Sequence, residues 1–231
     1  MMIFYIRKFI VTNNLFKLLN RILFVFIILT GYNSSAQDVA TLEYGGGGDW
    51  YANPTSVPNL IEFCNKTIHT KIKNKPQSVR ANSIDLFNFP ILFITGHGTI
   101  LFDDEEVSNL RKYLTSGGFI HISDNYGIDK YVRREFKRIF PELEFQEIPF
   151  NHPIYHQTFD FNQGPPKIHE HNGKAPQGFG LFYQGRLVCF YDYESDLSDG
   201  WEAPEVHNDP PEIRLKALQM GANIIQFAFT N

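Results

Sequence analysis

His169 and His171 stand two residues apart with Glu170 between them. On an extended segment both imidazoles point one way and the carboxylate the other. Two imidazoles on one side begin a divalent-metal site, which His152 or a carboxylate such as Asp124 would complete. His97 lies between Gly96 and Gly98 after an apolar run. A tight strand-to-helix turn there would project the imidazole as a nucleophile elbow projects its serine. Histidine carries acyl groups poorly, so His97 reads as a general base or a metal ligand. Asp124 would orient the base, and His169 is the alternative base.

Two further groups suit ligand binding. Asp49, Trp50 and Tyr51 follow four glycines, Gly45 to Gly48. Asp192, Glu194, Asp196 and Asp199 alternate with Tyr193 and Trp201. Rings stack on the apolar faces of sugars while carboxylates accept hydrogen bonds from hydroxyls, so Trp50, Tyr51, Tyr126 and Trp201 are candidate stacking surfaces. Blander readings stand beside these: loop histidines held by backbone carbonyls, a solvated acidic loop, and Asp209 as the cap of the last helix. The glycine run either cradles an anion or makes a strained turn. It lacks the Lys and Ser/Thr of a phosphate-binding loop and the spacing of a dinucleotide fingerprint.

These residues need a frame. Residues 39–44 read as a strand, followed by a helix with Ser56 as cap and Val57, Leu60, Ile61 and Cys64 on one face. A second strand falls within 68–80. Pro90 to Thr95 is almost wholly apolar, as a central parallel strand covered on both faces requires. Asp103 and Glu106 form a capping-box pattern for a helix buried through Val107, Leu110 and Leu114. Residues 119–123 read as a strand, and Ile128, Val132, Phe136 and Ile139 mark another amphipathic helix. Leu143 to Ile148 is a further strand. Residues 149–177 look loop-like, 178–192 form a hairpin turning at Gln184-Gly185, and 193–210 form an acidic aromatic loop. Pro210-Pro211 opens the last helix.

Alternating strands and helices imply right-handed crossovers and a mostly parallel sheet with helices on both faces, closed by a late antiparallel hairpin. In such sheets ligands bind beyond the carboxyl ends of the strands. Six of the eight histidines fall in or beside those loops; His69 and His121 do not. His121 sits in mid-strand and reads as packed.

The N-terminus carries Arg7, Lys8, Lys17 and Arg21, an apolar run from Ile22 to Leu29, then Ser34-Ser35-Ala36. That order is a signal peptide over residues 1–36, cut after Ala36. The apolar run is too short to span a bilayer, which takes roughly 20 residues. Residues 37–231 would then be a single exported domain, periplasmic or extracellular, with no membrane span after cleavage. Removing those four basic residues from 21 leaves 17 against 25 acidic ones, a net charge near −8. That disfavours nucleic acid and anionic membranes as partners. Cys64 and Cys189 read as two separate buried thiols, although an oxidising compartment would allow them to pair.

Tyr44-Gly45-Gly46-Gly47-Gly48-Asp49-Trp50-Tyr51, Thr95-Gly96-His97-Gly98, Asp124-Asn125-Tyr126-Gly127, His152-Pro153-Ile154, Lys167-Ile168-His169-Glu170-His171 and Tyr193-Glu194-Ser195-Asp196 resemble the DUF4159 family of bacterial proteins. The resemblance runs over nearly all of the chain after residue 36. It implies a flavodoxin-like fold similar to class I glutamine amidotransferases and ThuA-like proteins, and it implies no activity. Amidotransferases need a cysteine at the elbow. Here the elbow holds His97, so glutaminase chemistry is not expected. Serine hydrolysis has little support either, because the turn after Ser123 lacks the Gly-x-Ser-x-Gly frame.

Three functions follow as expectations. The first is a hydrolase acting on a carbohydrate or other polar envelope substrate, with a divalent metal as the one cofactor the residues suggest. The second is a non-catalytic glycan-binding module. The third is a structural envelope protein whose polar loops only tie the fold together.

Overall fold

The computed structural model describes residues 38–230. The expected signal peptide and the expected cut after Ala36 lie outside the described residues. Seven strands form one sheet in the order β2-β1-β3-β4-β7-β6-β5. They are β1 (Val39–Glu43), β2 (Ser78–Arg80), β3 (Ile91–Ile94), β4 (Phe119–Ser123), β5 (Gln146–Glu147), β6 (Gln177–Tyr183) and β7 (Arg186–Tyr193). The pairs β1–β2, β1–β3, β3–β4 and β4–β7 are parallel; β6–β7 and β5–β6 are antiparallel. The first five strands in that order follow the flavodoxin-like pattern.

Helices cover both faces. One layer holds α1 (Ser56–Thr67), α4 (Leu197–Trp201) and α6 (Pro211–Thr230); the other holds α2 (Asp104–Thr115) and α3 (Asp129–Ile139); the short α5 (Pro204–His207) lies between α4 and α6 in the chain. The pleat of β3 divides the core. Ile91 and Phe93 pack with Leu60, Ile61, Trp201 and Ile224, whereas Leu92 and Ile94 pack with Leu110, Val132 and Phe136. All four β3 residues are buried, which explains its unbroken apolar run.

Local signals act where expected. Asp103 caps α2, accepting from Glu106 N at 2.8 Å, while Glu106 accepts from Asp103 N at 3.0 Å. Gln184 and Gly185 turn the β6–β7 hairpin with φ of 50° and 82°. Elsewhere the elements differ. Ser56 is the first residue of α1 rather than its cap, and its hydroxyl donates to Asn53 O. β5 shrinks to two residues. The acidic loop holds α4 and α5, because Leu197 and Trp201 have a core to enter.

Cys64 and Cys189 are both buried and belong to the two opposite core layers, so the sheet separates them and they cannot bridge. Burial pushes both thiols up, Cys64 to about 12. Among the described residues no helix is long and apolar enough to cross a membrane.

Candidate functional site

The chain passes from β1 outward to β2, then returns to β3 on the other side of β1. This reversal opens a crevice at the carboxyl ends of β1 and β3. Two loops leave those ends, and they zip together. Gly45 N donates to Leu101 O at 3.1 Å, Leu101 N to Gly45 O at 3.0 Å, Gly48 N to Thr99 O at 3.1 Å and Asp49 N to His97 O at 3.1 Å. The glycines are therefore a packing device. The N–H groups of Gly45 and Gly48 serve the neighbouring loop. A Cβ on Gly48 would meet His97 O at 2.6 Å.

The result is an imidazole–carboxylate pair. Asp49 Oδ1 accepts from His97 N, and Asp49 Oδ2 lies 3.1 Å from His97 Nδ1. With Nδ1–H directed at the carboxylate, Nε2 is the free lone pair. The ring is half exposed. Asp49, expected as a ligand-binding residue, thus does the orienting expected of Asp124.

Gly96 closes the turn at φ +120°, and a Cβ there would stand 2.5 Å from both Asp49 O and Tyr44 Oη. Tyr44 Oη donates to Thr95 O at 2.9 Å, so neither neighbour can withdraw without loss. Gly96→Ala is expected to destabilise the fold by about 2–3 kcal/mol, combining left-handed strain with overpacking, as a urea melt would read. An unchanged midpoint would mean that the turn relaxes freely.

Asp124 is buried and serves the backbone: Oδ1 accepts from Tyr126 N at 3.1 Å and Oδ2 from Glu194 N at 3.3 Å. Burial pushes its carboxyl up, opposed by the Glu194 N–H. It hydrogen-bonds neither His97 nor His169, so its expected catalytic role is corrected to that of a scaffold for two loops. Beneath it runs a buried polar ladder. Asn125 Oδ1 accepts from Thr95 Oγ1 at 3.1 Å and Ser198 Oγ at 2.9 Å. Ser198 N donates to Ser123 Oγ, which donates to Asp192 Oδ1 at 3.2 Å. Ser123 is fully buried and bonds the carboxylate rather than an imidazole, so it is no nucleophile.

Asp192 Oδ2 lies 2.6 Å from His121 Nε2. Burial lowers His121 to about 3 and raises Asp192 well above the ordinary carboxylate range. One proton is therefore held by the folded pair. Between the free values of 3.8 and 6.5 the unfolded chain also carries one, and stability is flat. Above 6.5 only the folded state keeps it, so stability falls as pH rises until Asp192 ionises; below 3.8 the unfolded chain carries two, and stability falls again as pH drops. Asp192→Asn removes the alkaline limb. Its unfolding free energy relative to wild type is expected to climb by up to about 1.4 kcal/mol per pH unit above pH 6.5, measured by urea melts. Parallel curves would show that the folded pair holds no proton above pH 6.5.

The histidine-rich loop arches over α4. His169 Nδ1 is 3.0 Å from Asp199 Oδ2, and Nε2 is 3.0 and 3.2 Å from the two oxygens of Asp209. The Asp199 hydrogen bond, against burial and helped by Asp209, lifts His169 to about 9. Asp209 thus binds His169 instead of capping α6. His207 Nε2 lies 3.9 Å from Asp199 Oδ2. His171 bonds Asp196 Oδ2 and stacks on Tyr126 with centroids 4.6 Å apart. Burial first, then repulsion from Asp199, raises Asp196 to about 7. Glu194 is held by Asn172 Nδ2 at 3.0 Å and Lys167 Nζ at 3.4 Å.

Strain concentrates here. Asn53, Tyr126, Glu194 and Asp196 all have φ between 57° and 69° without being glycine. Asn53 had no signal beyond preceding a proline. Its amide donates to Ser198 Oγ at 2.9 Å and Asp199 Oδ1 at 2.6 Å, joining the β1 loop to α4.

Two expected site residues are elsewhere. Trp201 is 1 % exposed, its Nε1 donating to Ala217 O at 2.8 Å, so it is core and offers no stacking surface. His152 contacts Phe182 and Phe227. Phe182 pairs with Leu187 near the start of β7, which places His152 at the amino rim of the parallel strands. It cannot share an ion with His169. Tyr51 and Tyr126 are exposed at 67 % and 47 %, and Trp50 meets Tyr51 edge-on at 5.6 Å.

Residues 38–229 match a family model described as a domain of unknown function, DUF4159. No curated protein matches the chain.

Proposed function

This chain belongs to the DUF4159 family, and we propose that it is an exported hydrolase acting on a carbohydrate or similar polar substrate of the cell envelope. One observation carries this reading: His97 stands in the switch-point crevice with Nδ1 held by Asp49 and Nε2 unengaged among the described residues. A water molecule placed at Nε2 loses its proton to the imidazole as its oxygen adds to the electrophilic carbon. The imidazolium then returns that proton to the leaving group, so the net change is one water consumed per bond broken. Asp49 stabilises the imidazolium between those two events. Tyr51, Trp50 and Tyr126 would bracket a sugar ring.

Export is supported by the basic residues, apolar run and Ser34-Ser35-Ala36 of the N-terminus. A net charge near −8 after cleavage agrees with a partner that is neither nucleic acid nor anionic lipid. A second reading, a non-catalytic glycan-binding module, is favoured by the exposure of Tyr51 and Tyr126.

The test exposes the purified exported protein to a panel of envelope polysaccharides and their acylated fragments, reading reducing ends and released acid, with glycan binding measured in parallel. Turnover by wild type and not by His97→Ala supports the hydrolase. Binding lost on Tyr126→Ala, with no turnover, selects the binding module. Neither turnover nor binding overturns both readings.

A further inference from the structure

We infer that His169, Asp199 and His207 form a divalent-cation site of the zinc type, a site that goes beyond the hydrolase reading and stands without it. One donor atom from each of the three lies within 4.8 Å of the others. Asp199 Oδ2 is 3.0 Å from His169 Nδ1 and 3.9 Å from His207 Nε2. Around a tetrahedral ion with bonds of about 2.0–2.2 Å, ligand atoms sit roughly 3.3 Å apart, and these two spacings bracket that value. Only His207 has far to move. Its ring is partly exposed and packs on His169 at a centroid distance of 4.9 Å.

The groups behind the ligands make the stronger argument. A metal-bound imidazole usually sends its other nitrogen to a carboxylate, and a metal-bound carboxylate is itself hydrogen-bonded. His169 offers Nδ1 to Asp199 and commits Nε2 to Asp209 at 3.0 Å. Asp199 offers Oδ2 to both histidines while Oδ1 accepts from Asn53 Nδ2 at 2.6 Å. His169 and Asp199 therefore each have one face toward a shared point and the other anchored behind. The anchoring residues come from the β1 loop and the α5–α6 connection, so three distant segments converge. An entering ion takes the place of the proton between His169 Nδ1 and Asp199, and that proton leaves to solvent. Two imidazoles and one carboxylate favour zinc over magnesium or calcium, which prefer all-oxygen shells. Three protein ligands leave a fourth position for water, the arrangement of catalytic rather than structural zinc. Of the expected ligands His169, His171 and His152, only His169 belongs; Asp199 and His207 replace the other two.

The experiment strips the purified protein with a chelator, then titrates zinc by calorimetry and follows the melting temperature. Wild type is expected to bind one zinc and to melt higher with it. His207→Ala, which removes a surface ring and leaves the fold intact, is expected to weaken zinc more than about 100-fold. Asp209→Asn, which removes only the outer partner of His169, is expected to weaken it about 10–100-fold. His97→Ala is expected to bind zinc as wild type does, which separates this site from the hydrolase reading. Absence of zinc binding, or equal affinity in wild type and His207→Ala, overturns the site whatever the turnover assays give.

Discussion

His97→Ala is expected to lower kcat/KM about 10²- to 10⁴-fold on any substrate the protein turns over, while leaving its melting temperature in place. The two halves of that expectation have different causes. The rate falls because no other unengaged imidazole is found in the switch-point crevice among the described residues, and a methyl group moves no proton. The fold holds because the ring is 57 % exposed, and because Asp49 keeps its contact with the backbone N–H of residue 97. Surface truncations of this kind usually stay within about 0.5 kcal/mol. Asp49→Asn separates orientation from proton transfer. The amide oxygen can still accept from that N–H, yet a neutral partner stabilises the imidazolium less, so an intermediate loss is expected. Equal kcat/KM in wild type and His97→Ala would move the base elsewhere and end the mechanism proposed above.

Trp201→Ala is expected to cost about 3–5 kcal/mol of stability, with a midpoint fall on the order of 10 °C for a domain of this size. Trp201 is buried beside Phe93 at 5.7 Å and His121 at 5.5 Å, and its N–H is satisfied by Ala217 O. Gly221 exists to admit it, since a Cβ there would lie 2.8 Å from the indole. Truncation leaves a cavity between β3, α4 and α6 and removes the indole hydrogen bond to Ala217 O. Damage should extend to the site, because α4 also carries Ser198 and Asp199. Trp201→Phe, which keeps much of the volume, should recover a large part of the loss. Were Trp201→Ala to melt like wild type, the indole would have to be a surface group after all.

Particular elements show how far the sequence was legible. The wholly apolar β3, the Asp103–Glu106 capping box and the Gln184-Gly185 turn were readable, because each depends on neighbours within a few residues. Most of the parallel order followed from strand–helix alternation and the handedness of crossovers. At the site, sequence placed His97, Asp124 and His169 in rim loops, and those loops do lie at the carboxyl ends of β3, β4 and beyond. It could not assign their partners. Nothing local distinguishes Asp49 from Asp124 as the carboxylate that meets His97. Nothing local shows that Asp209 turns to His169 rather than to the first turn of α6. His152 looked equivalent to the other loop histidines until the reversal of β6 carried its neighbourhood to the opposite rim.

The chain's own pattern determined an α/β layer fold, its two buried thiols and the loops where polar chemistry would gather. Those features rest on hydrophobic periodicity and turn chemistry, which act over a few residues. Tertiary structure alone decided which imidazole meets which carboxylate, that Trp201 is core, and that the glycine run packs against its neighbouring loop. Those outcomes depend on hydrogen bonds and packing between residues tens of positions apart, such as His97–Asp49 and Phe93–Trp201. Such pairs exist only once the sheet order has brought their loops to the same rim.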